Sequence, residues 1–233
     1  ISDCLVGSEM CIRDRDGVII LPPISENNDL AGALGNANVN YVRLASIALD
    51  TARHVVISNE RSAAAAMAEH LVKLGHRRIG YISGPPRMRS TRERLEGFCD
   101  ALEKHGCKPD DDMIALGAYT FESGIECTRK LLANANPPTV IFASNDEMAV
   151  GAINAAQDMG LKVPQDLSVA GFDDSILASR IMPPLTTIRR PVQEMARHAA
   201  TKLIASIDGR DDEADVSIIL VPELVKRAST RPL

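Results

Sequence analysis

The chain has 233 residues, 45% of them hydrophobic and 24% charged, with a formal net charge of −5 and a pI near 5.6. That length allows one large α/β domain or two lobes of roughly a hundred residues each. The acidic balance excludes a surface that grips nucleic acid by its own charge, which takes clustered Lys and Arg. Five scattered cysteines, Cys4, Cys11, Cys99, Cys107 and Cys127, form no CxxC pair, so neither a disulfide framework nor a zinc site is suggested and a reducing compartment is expected. No run approaches the roughly eighteen apolar residues of a membrane span, and the amino-terminal stretch lacks a secretion signal's basic start and apolar centre.

Residues 1–15, ISDCLVGSEMCIRDR, have no clear period and resemble translated adapter sequence. They are read as a non-native segment and set aside. The stretch DGVIILPP follows and predicts a buried parallel strand over Val18 to Leu21. A polar loop with Asn27 and Asn28 is expected next, then a weak strand at Tyr41 to Leu44 and another at Val55 to Ser58. Ala63, Met67, Leu71 and Leu74 recur at helical spacing, which predicts a helix from Glu60 to Leu74 closed by Gly75 in the left-handed conformation. Arg78 to Ser83 reads as a strand and Gly84-Pro85-Pro86 as its turn, with Ser90 or Thr91 expected to cap a helix reaching His105.

A strand near Met113 to Leu116 and a helix from Phe121 to about Ala133 lead into the most informative stretch, Thr139 to Asp174. An apolar strand there runs into an Asn-Asp turn, a helix of about fourteen residues follows, and a second short strand ends on paired aspartates. This is a βαβ unit. In an open parallel sheet the carboxyl ends of the strands form the ligand crevice, so Asn145, Asp146, Asp173 and Asp174 project where a small molecule would sit. The alternation of strand and helix from residue 55 to 173 predicts a parallel sheet covered on both faces. Beyond it lie a long loop with a short crossing segment at Thr186 to Ile188, a helix beginning near Pro191 along which Met195, Ala199, Leu203 and Ile207 recur, and the acidic run Asp211 to Asp215. A final strand is expected at Val216 to Val221.

Enzyme constellations are missing: the sequence holds no GxxxxGK[ST], no GxGxxG after a strand, no HExxH, no GxSxG and no EF-hand loop. The five histidines are isolated, and His76 between a helix end and a strand reads as structural.

The segments KLGHRRIGYISGPP, STRERLEGF, FASNDEMAVGA, VPQDLSVAGFDD, PPLTTIRRP and LVKRAST, in that order and spacing, resemble the LacI/GalR family of bacterial transcription regulators over residues 16–231. The resemblance implies an α/β, two-lobed periplasmic-binding-protein-like fold, each lobe a parallel sheet flanked by helices, with three interlobe crossovers. Residues 16–57 and 190–220 would form an incomplete amino-terminal lobe, and 58–189 with 221–231 the carboxyl-terminal lobe. The family's DNA-binding headpiece, its hinge helix and the first strands of the amino-terminal lobe have no counterpart in this stretch.

The same resemblance implies an effector site. Arg94 in RxxGF matches the arginine that holds effector hydroxyls or a carboxylate, Asp173 the acceptor of hydroxyl protons, and Asn145 a combined donor and acceptor. Tyr119 stands where an aromatic ring faces the effector. Asn59 and Ser90 are further candidates, and Asp146 is either a ligand or a helix-capping group. Asp174 is expected to support the turn. No cofactor and no metal are implied.

The expected protein is therefore not an enzyme. It is a cytoplasmic homodimer that binds a small-molecule effector, a sugar or else a purine or nucleoside, and controls operator DNA through the absent headpiece. The alternative is a periplasmic sugar-binding protein of a transporter, which shares the fold.

Overall fold

The computed structural model describes residues 16–46, 54–210 and 218–233. The expectations for residues 1–15, the acidic run Asp211 to Asp215 and the first residues of the last strand lie outside the described residues. Two compact units divide the chain, one holding the described residues up to Ser58 together with Pro191–Leu220, the other Asn59–Arg190 with Val221–Leu233.

In the first unit, four strands form one parallel sheet in the order β1-β2-β3-β9: β1 (Gly17–Ile20), β2 (Asn40–Ala45), β3 (Val55–Ser58) and β9 (Ile218–Leu220). Val42, Leu44 and Val56 pack against Met195, Ala199 and Leu203 of a long helix, α7 (Val192–Ile207). Their four-residue recurrence is the apolar stripe the sequence predicts. The segment after β1 corrects the expected polar loop, because Asn28–Asn36 is a helix, α1. The Asn27 side chain accepts a hydrogen bond from the Asp29 backbone N–H at 2.9 Å and so starts it, while Ala31 and Leu34 are its buried face. Gly32 and Gly35 lower the helix propensity enough to hide that face in the sequence.

The second unit carries a parallel sheet ordered β5-β4-β6-β7: β4 (Ile79–Ser83), β5 (Ile114–Leu116), β6 (Val140–Ala143) and β7 (Ser168–Ala170). Helices α2 (Glu60–Lys73) and α3 (Arg89–Lys104) pack on one another, as do α4 (Phe121–Leu132) and α5 (Asp146–Asp158). Side-chain alternation along the strands feeds both layers. Tyr81, Phe142 and Ala170 join Met67, Leu71, Phe98 and Leu102 of α2 and α3, whereas Ile82, Ile141, Ala143 and Val169 join Leu131, Met148, Ala152 and Ile153 of α4 and α5. The chain has three tyrosines, four phenylalanines and no tryptophan. Tyr81, Phe98 and Phe142 meet in one cluster with ring centroids 5.0 to 5.5 Å apart. Each such fully buried ring contributes about 1.5–3 kcal/mol of transfer free energy.

Helix ends follow local chemistry with one correction. At the end of α2, Gly75 has φ +95, and the Gly75 and His76 amides donate to Val72 O and Leu71 O, a Schellman closure as the glycine predicts. The start of α3 differs from expectation: its cap is Met88, with no side-chain hydrogen bond, and Ser90 and Thr91 lie inside the first turn. Thr91 is buried and 2.8 Å from the Tyr119 hydroxyl, so its oxygen serves a tertiary contact rather than the cap. The expected long loop after Asp174 also holds more structure than its prolines suggest. A short helix, α6 (Ile176–Arg180), is followed by β8 (Thr187–Arg189), which pairs antiparallel with β10 (Glu223–Val225). No helix among the described residues is long and apolar enough to cross a membrane.

Candidate functional site

In the second sheet, β4 connects onward to β5 on one side, and β6 connects to β7 on the other. Adjacent strands whose connections depart in opposite directions leave a crevice between their carboxyl ends. Here that place is between β4 and β6, flanked by the turn after β7. The candidate residues gather around it.

Arg94 is its centre. The residue is 5% exposed. Its Nε donates to Glu60 Oε2 at 2.8 Å, Nη1 donates to the Ser144 carbonyl at the end of β6, and Nη2 stands 3.8 Å from Asp173 Oδ1. The guanidinium carbon lies 3.8 Å above the Phe172 ring centroid, a cation–π contact worth about 2 kcal/mol when desolvated. The RxxG spacing has a mechanical cause. A side chain at Gly97 would overlap the Arg61 carbonyl of α2, so only glycine lets α3 approach closely enough for Arg94, one turn earlier, to reach Glu60. Burial alone would lower the Arg94 pKa, but Glu60 and Asp173 outweigh it and raise it, so the charge is permanent.

Glu60 is 1% exposed and opens α2, where the helix dipole favours a carboxylate. Its other oxygen, Oε1, is 3.2 Å from Arg190 Nε, and Arg190 Nη1 is 3.6 Å from Asp173 Oδ1. The four side chains form one alternating network of two carboxylates and two guanidiniums. Sequence reasoning named Arg94 and Asp173 but missed Glu60 and Arg190. The available signals were an acidic residue at a helix's first position and the second arginine of the RRP segment.

Asp173 has φ +119 and Asp174 φ +53, a costly backbone for residues with a Cβ. The turn is held because the Asp173 amide donates to Ile188 O at 2.8 Å. Asp173 Oδ1 is buried and has no hydrogen-bond partner. Burial raises the Asp173 pKa, with Arg94 and Arg190 pulling it back. Asp174 is saturated, as the expectation of a turn-supporting role requires: it accepts from Arg189 Nε at 2.7 Å and Arg227 Nη2 at 2.6 Å. Burial pushes its pKa up, but those two arginines prevail and hold it below the ordinary carboxylate value.

Two of the remaining candidates cap helices. Asn145 caps α5: its Oδ1 accepts from the Met148 amide at 2.9 Å and its Nδ2 donates to Tyr119 O at 3.1 Å. Asn59 caps α2 by accepting from the Ser62 amide at 3.1 Å. Tyr119, at φ +65, lays its ring where a Gly84 side chain would be, so the glycine of the GPP turn makes room for it. Ser90 is half-buried in the first turn of α3. Asp146 is not the cap of α5, which is Asn145. It is 1% exposed and accepts from the Ser175 amide at 2.6 Å and Thr187 Oγ1 at 2.5 Å. Burial lifts its pKa to about 6, opposed by those two hydrogen bonds. His76 meets Thr139 Oγ1 at 2.8 Å and Arg231 O at 3.2 Å, far along the sheet at the start of β4. A hollow of about 440 Å³ near that amino-terminal edge, lined by Arg77, Arg78 and Lys108 among others, shares no residue with the site.

Residues 68–230 match the periplasmic binding protein-like domain family. The chain is 34% identical over 218 residues to the probable HTH-type transcriptional repressor ExuR of Bacillus subtilis, covering 94% of this chain and 65% of that protein. It therefore spans just under two thirds of that relative's length. Among solved structures, the complex of transcriptional regulator CelR with cellobiose superposes with a TM-score of 0.87 at 30% identity, covering 97% of this chain and 69% of that one. A LacI family transcriptional regulator from Enterococcus faecium with bound ribose gives 0.85 at 27% identity, covering 97% and 83%.

Proposed function

This chain belongs to the LacI family of transcriptional regulators, and from that premise we propose that its second unit binds a small polyhydroxylated effector, a sugar, at the Arg94–Asp173 site. The observation that carries this reading is the buried Asp173 Oδ1, ion-paired at 3.8 and 3.6 Å with Arg94 and Arg190 but accepting no hydrogen bond, and held on strained backbone. A buried acceptor without a donor costs about 1–3 kcal/mol, and a ligand hydroxyl that donates to it removes that cost. The same hydroxyl oxygen accepts from a guanidinium N–H. Two structural relatives carry cellobiose and ribose, which supports a sugar over a purine or nucleoside.

In the full-length regulator, effector binding would change operator affinity through a coupling of about 1–3 kcal/mol, or 5- to 150-fold. Operator contact would belong to a part of the regulator outside this stretch, since the net charge of −5 does not suit phosphate binding. The protein would act as a cytoplasmic homodimer. Exposed Ile176, Leu177 and Met182 after β7 support a self-association face. The test is operator binding by fluorescence anisotropy in the full-length protein. Asp173→Ala should abolish the sugar response while operator binding without sugar persists. A normal sugar response in Asp173→Ala would remove the site assignment.

A further inference from the structure

Arg190 is the residue that neither the motif nor its local setting explains. The first arginine of its pair, Arg189, is taken by Asp174, as is Arg227, whereas Arg190 is one-quarter exposed and turned to Glu60 and Asp173. Its Nε is buried and, at 3.2 Å from Glu60 Oε1, lacks the alignment of a hydrogen bond. Its Nη1 is 3.6 Å from Asp173 Oδ1, beyond hydrogen-bond length. Arg94 Nη2 stands off from the same oxygen at 3.8 Å. One acceptor thus faces two guanidiniums, each slightly too far to satisfy it.

We propose that Arg190, held by the buried Glu60, is a specificity-determining residue of the effector site, and that the balanced charge of the quartet selects an uncharged polyhydroxylated ligand over an acidic one. This rests on the effector-binding reading above. A hydroxyl is the group that suits the gap, because it donates to Asp173 and accepts from Arg190 or Arg94. A ligand carboxylate or phosphate has no proton for Asp173 and adds a negative charge beside it. Within the quartet no cation is left over to receive that charge, since Arg94 and Arg190 are already matched by Glu60 and Asp173. Glu60 has both oxygens engaged, Oε2 by Arg94 and Oε1 by Arg190, so it acts as a positioning residue that also sets the net charge at zero.

The experiment is calorimetric titration of the purified chain with matched pairs: D-glucose and D-glucuronate, D-galactose and D-galacturonate, D-ribose and ribose 5-phosphate. At least one neutral member should bind about tenfold or more tighter than its acidic partner, roughly the effect of one unit charge a few ångström away with most of its field screened by solvent. Relative preference for the acid should then follow the net charge of the quartet. It should rise by about tenfold in Glu60→Gln (net +1), fall further in Arg190→Gln (net −1), and return to the wild-type value in the double variant (net 0). A merely structural role would weaken every ligand alike and leave these ratios unmoved. Should Glu60→Gln fail to fold by circular dichroism, Arg190→Gln and the double variant still give different expectations, a fall in the first and the wild-type value in the second. An acid binding as tightly as its neutral partner in the wild type, or ratios unchanged across the variants, overturns the proposal and leaves the sugar reading standing. If no member of any pair binds, the sugar reading falls and this proposal falls with it.

Discussion

Asp173 and Asp174 are neighbours in sequence and both sit on left-handed backbone, yet their surroundings are opposites. Asp174 has a guanidinium on each oxygen at 2.6 and 2.7 Å, and those contacts join the turn after β7 to the β8–β10 ribbon. Asp173 has two guanidiniums within 4 Å and a hydrogen bond from neither. The saturated carboxylate is a structural clamp. The unsaturated one keeps an acceptor that a ligand hydroxyl could fill, and that difference is why the proposed effector site uses Asp173 rather than Asp174.

The comparison breaks most severely at the shared network. Arg94→Met should cost about 3–5 kcal/mol of stability, because Glu60 then keeps only Arg190 on Oε1, while its Oε2 and the Ser144 carbonyl are left buried without their donor. Chemical denaturation should show this loss together with the loss of sugar binding.

The next effect concerns Asp146, whose carboxyl sits at about 6 when folded against an ordinary 3.8. Between those values the folded protein holds more proton than the unfolded chain, so this group makes stability fall as pH rises from about 4 to about 6, and its contribution is level above that. The drop for this group is about 3 kcal/mol. Asp146→Asn keeps the Ser175 and Thr187 partners and should flatten that part of the stability profile. An unchanged slope would mean that Asp146 is ionised as easily in the folded protein as in the unfolded chain.

Smaller still is Asp174→Ala, which removes two charge-assisted hydrogen bonds that are partly open to solvent. A loss of about 2 kcal/mol is expected at neutral pH. Since the folded pKa of Asp174 is depressed, the difference between variant and wild type should shrink as pH falls below the ordinary carboxylate value.

Much of this arrangement was legible before any coordinates. The strand–helix alternation marked both faces of the second sheet, and Gly75 marked the end of α2. Helix α1 was hidden because Gly32 and Gly35 dilute its periodicity, and its only clear sign, the capping Asn27, looks like ordinary loop chemistry. The start of α3 is hidden for a different reason: the sequence offers Ser90 or Thr91 as a local cap, but the Thr91 hydroxyl meets that of Tyr119, 28 residues away. At the site, the RxxGF and GFDD motifs pointed to Arg94 and Asp173. The Glu60–Arg94 pair spans 34 residues, and no periodicity within one helix reports a partner on another. The division of labour within the paired aspartates was also only half visible, because it depends on which arginines each meets.

The most direct measurement titrates Asp173→Asn and Asp174→Asn side by side with the tightest-binding sugar of the panel, and melts each protein. Asp173→Asn should lose about 10- to 100-fold in affinity with little change in melting temperature, while Asp174→Asn melts about 4–8 °C lower and keeps its affinity within about threefold. The reverse pattern, with Asp174 governing affinity and Asp173 governing stability, would contradict the assignment of the unsatisfied carboxylate to the effector.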